Sequence, residues 1–170
     1  MKDIVLYIGG FELPDKNAAA HRVLNNAKIF SEMGLNTVFI DVQRDNSKID
    51  KSNLGFEVHT LDIRSTANKV KRDISIKKFC EIYNKYQDNV VAVVAYNYPA
   101  IALNRIRKFC KKRNVKLIAD VTEWYGDDFR NIYKVLEYIL IKIRVERIQK
   151  KLDGIIAISG FLYKYYEKKC

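Results

Sequence analysis

Short apolar runs alternate along the chain with segments in which apolar residues recur every three or four positions. The runs are typical of buried strands, and the spaced segments are typical of helices that bury one face. One run covers residues 3–8 and leads into Gly9 and Gly10, helical spacing covers residues 18–33, and a second run covers residues 36–42. The opening is therefore predicted to be a strand, a glycine loop, a helix and a second strand.

The same alternation continues to the end of the chain. Further strands are predicted over residues 56–61, 90–95, 116–121 and 154–158, and further helices over residues 74–86, 99–113, 129–152 and 161–168. The run over residues 90–95 is the most hydrophobic, which is typical of a central parallel strand covered on both faces. Alternating strands and helices predict an α/β fold with a Rossmann-like, doubly wound parallel sheet, in a single domain over residues 1–170.

Loops at the carboxyl ends of the strands are the places where open parallel sheets bind ligands. Three such loops are predicted, over residues 9–17, 96–99 and 122–128. In the first, Gly9 and Gly10 would let a phosphate or a sugar approach the backbone, or they serve only the shape of the turn. Asn17 is expected to cap the first helix, and His21 lies in its first turns, from which it can face the cleft.

The charge of the chain indicates which partners it favours. Lys and Arg number 31 against 20 Asp and Glu, which gives a net charge of +11. Such an excess favours nucleic acid, an acidic membrane surface or a phosphorylated substrate, or it is an ordinary solvated surface. The basic residues are scattered over many helices and form no recognition motif, so nucleic acid is disfavoured.

Several familiar signatures are missing. The sequence has no G-x-G-x-x-G, no G-x-x-x-x-G-K-[ST] and no G-x-S-x-G, which argues against a nicotinamide dinucleotide site, a nucleoside triphosphatase and a hydrolase. The three cysteines and two histidines fit no metal or redox spacing, so we expect no metal and no cofactor. Reduced cysteines favour a cytoplasmic protein, and no apolar run is long enough to span a membrane.

Three segments, in the same order along the chain, resemble family 4 glycosyltransferases. Residues 7–23 resemble the family's first strand, Gly-Gly loop and small-residue-rich helix. Residues 120–125, with the sequence DVTEWY, resemble the loop after the fifth strand in bacterial polysaccharide members, and residues 154–162 resemble the end of the family's first domain. The resemblance implies the GT-B fold, in which two Rossmann-like domains face each other across a cleft.

The resemblance also implies an activity. Such enzymes transfer a sugar from a nucleotide diphosphate donor with retention of configuration, usually without a metal. This chain would be the N-terminal, acceptor-side half of an enzyme of cell-surface polysaccharide synthesis. The donor-binding domain, not contained in these 170 residues, would be a missing C-terminal domain or a partner chain, so the isolated domain is expected to be inactive. The partner is a sugar acceptor, which is lipid-linked for many enzymes of this kind.

The resemblance also implies roles for individual residues, according to their positions in the matching segments. Gly9 and Gly10 would lie beside the donor diphosphate, and Thr122 stands where the family often has a histidine at the catalytic face. Asp120 and Glu123 are candidates to position or polarise an acceptor hydroxyl. The alternatives are that Asp120 caps a turn and that Glu123 pairs with a nearby cation.

Other polar and aromatic residues of these loops are candidates for binding the substrate. Trp124 and Tyr125 would stack on a sugar ring or pack among other aromatic side chains. Asn97 and Tyr98 follow the fourth strand. Asn97 would bond a sugar hydroxyl or hold its own turn through an Asx contact.

The predicted helix over residues 129–152 combines an apolar stripe with a basic face. This pattern is typical of a helix packed on the sheet with a solvated basic face, and also of a helix that lies on an anionic membrane. The second function left open is therefore a non-catalytic Rossmann-like binding module that acts at the inner face of the cell membrane or with a partner protein.

Overall fold

The computed structural model of the protein describes residues 3–47, 49–124 and 132–168. Six parallel strands form one sheet: β1 (Ile4–Gly9), β2 (Asn36–Gln43), β3 (Glu57–Asp62), β4 (Val90–Tyr96), β5 (Lys116–Val121) and β6 (Gly154–Ala157). Their order is β3-β2-β1-β4-β5-β6, so the direction of winding reverses between β1 and β4. The predicted α/β fold class, with a doubly wound parallel sheet, is confirmed.

Helices connect these strands. They are α1 (Ala18–Glu32), α2 (Thr66–Ile74), α3 (Lys77–Tyr83), α4 (Ala100–Arg113), α5 (Ile132–Ile143) and α6 (Gly160–Glu167). Two single 3-10 turns, Ser52–Leu54 and Gln149–Lys151, and a π-helical stretch, Arg144–Ile148, complete the described structure. No helix within the described ranges is long and apolar enough to cross a membrane.

Strand β1 shows how the sheet buries both of its faces. All six of its residues are buried. Val5 and Tyr7 pack in the cluster beneath α1, whereas Leu6 and Ile8 pack in the cluster that contains the apolar side chains of α3 and α4. Because both faces are covered, the strand is a continuous apolar run rather than an alternating one.

Both ends of helix α1 follow from local chemistry. The Asn17 side chain accepts a hydrogen bond from the Ala20 amide at 2.9 Å, which caps the first turn. Gly34 adopts a left-handed φ of +82°, and the Leu35 amide donates to the Phe30 carbonyl at 2.9 Å. The predicted capping role of Asn17 is confirmed, and the capped end of α1 lies after the β1 loop.

The connection between β3 and β4 differs from the sequence prediction. Apolar spacing predicts one helix over residues 74–86, whereas the structure has two helices, separated by Ser75 in an extended conformation. The Ser65 hydroxyl accepts from the Asn68 amide at 3.1 Å and begins α2. None of the nine residues of α2 is buried, and only three of them, Ala67, Val70 and Ile74, are apolar.

The long helix predicted over residues 129–152 is also corrected. Its predicted start lies outside the described residues, and only residues 132–143 of the described part are regular α-helix. The predicted apolar stripe is not buried along its whole length. Leu140 packs against the core, whereas Leu136 is 55% exposed. Arg144, one of the basic residues of this segment, is buried.

Gly9 closes the space between β1 and β4, and its substitution provides a test of this packing. A Cβ at Gly9 would lie 2.6 Å from the Tyr96 Cβ and 2.8 Å from the Phe11 ring. We expect Gly9→Ala to lower the free energy of unfolding by about 1–3 kcal/mol, because these core atoms cannot move away cheaply. Urea denaturation measures the change. The control is Gly160→Ala, whose Cβ would meet nothing within 4 Å, and equal stability of the two variants would contradict the prediction.

Candidate functional site

A cleft with a volume of about 440 Å³ opens at the carboxyl edge of the sheet. It is lined by Ala18, Ala19, Arg22, Asn25 and Asn26 of α1, by Tyr96 at the end of β4, by Thr122 after β5 and by Ile158 after β6. We call it the edge cleft. It lies beside the point where the strand order reverses, which is where doubly wound sheets bind their ligands.

A buried ion pair lies beside the edge cleft. The Asp120 carboxylate is fully buried at the end of β5, and Arg22 donates to it from Nε at 3.0 Å and from Nη2 at 2.7 Å. The Tyr7 hydroxyl donates to the same carboxylate, and the Asn26 amide donates to the Tyr7 oxygen at 2.9 Å. Asp120 therefore anchors Arg22 rather than capping a turn, and its predicted catalytic role stays a prediction.

Tyr7 is held in its neutral form by this environment. Burial of the ring, together with the adjacent Asp120 carboxylate, raises the pKa of the phenol far above its usual range. A neutral hydroxyl remains a hydrogen-bond donor at neutral pH. The network therefore has a fixed polarity, with Tyr7 and Arg22 donating and Asp120 accepting.

The loops after β4 and β5 are joined by side-chain hydrogen bonds. The Asn97 amide donates to the Thr122 hydroxyl at 2.7 Å, and the Thr122 backbone amide donates to the Asn97 side chain at 3.3 Å. The Tyr96 hydroxyl lies 3.1 Å from the same Thr122 oxygen. The side chain of Asn97 thus holds the neighbouring loop rather than its own turn, and Thr122 presents a fixed hydroxyl at the edge cleft.

Arg144 lies buried beneath the Asn97 loop. Its Nη1 donates to the Asn97 carbonyl at 3.0 Å, while its Nε is buried without a hydrogen-bond partner in the described part of the chain. Burial lowers the pKa of the guanidinium, and the nearby Glu123 opposes this shift. Glu123 itself is exposed at the rim of the loop. The two side chains place a positive and a negative charge close to Thr122.

Trp124 packs among aromatic residues and keeps part of its surface in solvent. Phe161 and Tyr165 contact it edge to face, with ring centroids 5.1 Å and 4.7 Å away. Its exposed fraction is 39%, so the predicted stacking on a sugar stays open. Tyr125 lies outside the described residues.

The two glycines of the loop after β1 differ in burial. Gly9 is buried between β1 and β4, whereas Gly10 is only half-buried. Arg44 donates from Nη2 to the Gly10 carbonyl at 2.7 Å, and a Cβ at Gly10 would lie 3.8 Å from a guanidinium nitrogen of Arg72. Gly10 therefore lies between two guanidinium groups, of which Arg44 pairs with Glu12 and Arg72 pairs with Asp73.

The remaining predicted site residues lie elsewhere. The Asn17 side chain is used in capping α1. His21 is exposed on α1 and does not line the edge cleft. Tyr98 packs on the opposite face of the sheet, in the cluster that contains Phe79. For all three, a role in substrate binding stays a prediction that the edge cleft does not support.

Four lining residues of the edge cleft escaped the sequence analysis: Arg22, Asn25, Asn26 and Tyr96. Three of them lie on α1 within the first part of the chain, and Arg22 and Asn26 are four residues apart, so they share one helix face. That polar spacing, directly after the Gly-Gly loop, was the available signal. This spacing indicates a site only once it is known that the buried Asp120 carboxylate faces Arg22 and Asn26.

Among residues 3–47, 49–124 and 132–168, no three His, Cys, Asp or Glu side chains are grouped so that they could hold a metal ion. The sequence matches no protein-family model and no curated protein. The function proposed for the chain therefore depends on its own residues and their geometry.

Removing Arg22 tests the buried ion pair. Arg22→Met would leave the Asp120 carboxylate buried without its cation, so we expect the free energy of unfolding to fall by about 3–5 kcal/mol. The double variant Arg22→Met with Asp120→Asn should recover part of this loss. Chemical denaturation measures both, with the exposed Lys28→Met on the same helix as the control. A loss no larger than that of Lys28→Met would show that the pair does not stabilise the fold.

His59 on the edge strand β3 provides a pH test. Its Nε2 lies 2.7 Å from the Tyr86 hydroxyl and 3.3 Å from the Glu57 carboxylate. Burial and then Lys85 lower the pKa of His59 below its usual 6.5, against the opposing effect of Glu57. The folded state thus favours the neutral ring, which contributes stability above the unfolded pKa, and this contribution is lost as the pH falls through the folded pKa.

We therefore expect His59→Gln to weaken the fall in stability between about pH 7 and pH 5. In the unchanged protein, the NMR titration of the His59 ring, assigned by its disappearance in the variant, should have a midpoint below 6.5. A midpoint above that value would show that Glu57 outweighs burial and Lys85.

Proposed function

We propose that the chain is the acceptor-side, N-terminal domain of a retaining, nucleotide-sugar-dependent glycosyltransferase of bacterial cell-surface polysaccharide synthesis. The edge cleft carries this proposal. All three segments that resemble family 4 glycosyltransferases contribute to it, through α1, through Thr122 and through Ile158. Residues from distant parts of the chain thus form one concave site at the edge of the sheet that binds ligands in this fold class.

The chemistry of the edge cleft suits a sugar. Amide and hydroxyl groups of Asn25, Asn26, Tyr96 and Thr122 both donate and accept hydrogen bonds, as sugar hydroxyls require. Arg22 uses Nε and Nη2 on Asp120, which leaves Nη1 for a ligand. Ala18 and Ala19 are small, so a ring can approach the first turn of α1.

The Gly10 region suits the diphosphate of a donor. Gly10 lies between the guanidinium groups of Arg44 and Arg72, and the capped N-terminus of α1 follows the same loop. Cations and a helix N-terminus both stabilise phosphate charge, and they would also stabilise the charge that develops on a leaving diphosphate. In this proposal Gly9 allows β1 and β4 to pack closely, and Gly10 leaves room for the diphosphate to approach the backbone.

Of the two candidate carboxylates, Glu123 is the one that is exposed to solvent, directly after Thr122. The Asp120 charge is balanced by Arg22, whereas Glu123 is exposed and has no ion pair within the described residues. In the proposal, Glu123 polarises an acceptor hydroxyl and Thr122 orients it. Arg144 acts from beneath, because it holds the Asn97 carbonyl and, through Asn97, the Thr122 side chain.

A non-catalytic binding module is the second candidate. Two observations favour it: a threonine, Thr122, stands where the family often has a histidine, and the buried Asp120 is fully occupied by Arg22 and Tyr7. Such a module would bind a saccharide in the edge cleft without transferring it. Binding and transfer therefore have to be measured separately.

Transfer and binding by a Thr122 variant test the proposal. In the full natural reading frame, Thr122→Val should lower kcat/KM for the acceptor about tenfold, because it removes one well-placed hydroxyl, and should change the KM for the donor less. The assay follows radiolabelled sugar from a panel of nucleotide sugars into membrane-extract acceptors, with Lys28→Met as the matched control. Binding is followed by NMR shifts of the Ala18, Asn26 and Thr122 amides with methyl glycosides.

The possible outcomes separate the two candidates. Saccharide shifts without transfer by any nucleotide sugar would select the binding module. Neither shifts nor transfer at millimolar concentrations would overturn both candidates. Transfer that is equally fast in Thr122→Val and Lys28→Met would remove the edge cleft from the mechanism.

A further inference from the structure

A second groove, larger than the edge cleft, lies between β3 and the helices α2 and α3. Its volume is about 630 Å³, which is within the range of ligand-binding sites in proteins. Its apolar lining residues are Leu61, Ile63, Phe79, Ile82 and Tyr98. Lysine side chains from both helices also line it. We call it the lysine groove.

The charges of the lysine groove are unbalanced. Five of its lining residues are Lys or Arg and two are Asp or Glu. The two acidic residues already have partners, since Asp62 pairs with Arg64 and Glu81 pairs with Lys78. Arg72 also has a partner, in Asp73.

Three lysines of the groove remain without an acidic partner. Lys71, Lys77 and Lys85 have no carboxylate within 4.0 Å in the described part of the chain, where eleven ion pairs of other residues are formed. Lys71 lies on α2, Lys77 begins α3 and Lys85 follows it. Three lysines without a direct ion pair on the walls of one groove point to an anionic ligand.

The positions of these lysines indicate the kind of anion. Lys71 lies on α2, Lys77 begins α3 and Lys85 lies beyond the last residue of α3, Tyr83. Because they stand on three separate segments that line the groove, a ligand that carries several negative charges can meet all of them.

Tyr98 is an independent sign of a ligand. It is 2% exposed and lines the groove, and its hydroxyl has no hydrogen-bond partner in the described residues. The Arg72 guanidinium lies 5.9 Å from its ring centroid. Burial raises the pKa of the Tyr98 phenol to about 12. A neutral hydroxyl is thus available in the groove to bond a polar group of the ligand.

We propose that the lysine groove binds an acidic oligosaccharide, namely the chain that extends from the acceptor sugar. The choice of a saccharide rests on the proposed function. Apolar side chains such as Leu61 and Ile63 suit the carbon-bound faces of sugar rings, and separated lysines suit carboxylates or phosphates repeated along a glycan. Nucleic acid suits the groove less well, because its aromatic residues Phe79 and Tyr98 are buried and present no face for base stacking.

The position of the groove fits such a chain. Tyr96 lines the edge cleft and Tyr98 lines the lysine groove, and only Asn97 separates them. The walls of the two cavities thus lie two residues apart at the β4 loop, on opposite faces of the sheet. A glycan whose end is held in the edge cleft would continue across this loop into the groove.

Binding of defined oligosaccharides tests the proposal. Hexagalacturonate should bind and neutral maltohexaose should not, as measured by calorimetry at low salt. The triple variant Lys71→Gln, Lys77→Gln, Lys85→Gln should lose tenfold or more in affinity. The control triple variant Lys108→Gln, Lys111→Gln, Lys112→Gln removes the same charge from exposed positions of α4 and should lose less than twofold.

Two further readouts locate the ligand. Tyr98→Phe should weaken hexagalacturonate about threefold or more while leaving the unfolding midpoint unchanged. The His59 ring also lines the groove, beside Lys85, Glu57 and Tyr86. Bound carboxylates should therefore move its NMR titration midpoint upward, whereas maltohexaose should not.

Several results would overturn the proposal. These are no binding of hexagalacturonate or of a phosphorylated hexasaccharide at millimolar concentration, equal losses in both triple variants, or equal affinity for a single-stranded DNA of matched charge or for anionic lipid vesicles. If the groove variants bind normally while Thr122→Val still impairs transfer, the lysine groove is excluded and the transferase stands. If the groove binds acidic glycan and no transfer occurs, the transferase is excluded and the groove stands.

Discussion

The buried charge of Asp120 is the constraint on which the carboxyl edge of the sheet depends. A carboxylate removed from water destabilises the fold unless a cation and hydrogen-bond donors meet it, and here Arg22, Tyr7 and Asn26 do so. These partners lie on α1 and β1, while Asp120 lies on β5, which is separated from β1 by β4. One interaction thus fixes the helix on the sheet and turns its polar face toward the edge cleft.

The strands could be predicted because their burial leaves a plain signal. Strand β1 is covered on both faces and forms an unbroken apolar run, β4 is apolar throughout, and the ends of α1 are determined by Asn17 and Gly34 locally. Helix α2 gives a weaker signal, since it is short, has only three apolar residues and buries none of them. The π-helical stretch that begins at Arg144 is set by packing against α4, which local sequence does not encode.

The sequence predicts where the candidate site lies but not which residues line it. The rule for parallel sheets placed the β4 and β5 loops together, and Asn97 and Thr122 do bond each other. Which polar residues of α1 face the cleft depends on the pairing of Arg22 with Asp120, 98 positions along the chain. The burial of Arg144 could not be predicted for the same reason, because the Asn97 carbonyl that it binds lies near it only in the folded chain.

Asn97 relates the two cavities. Its φ of +40° is a left-handed conformation that costs a non-glycine residue on the order of 1 kcal/mol or more. The surrounding bonds hold it there: its side chain binds Thr122, its carbonyl accepts from Arg144, and its amide donates to the Asp120 carbonyl. At this residue Tyr96 faces the edge cleft and Tyr98 faces the lysine groove. One strained position, held by the buried Arg144, therefore separates the proposed site of sugar transfer from the proposed site of the glycan that carries the acceptor.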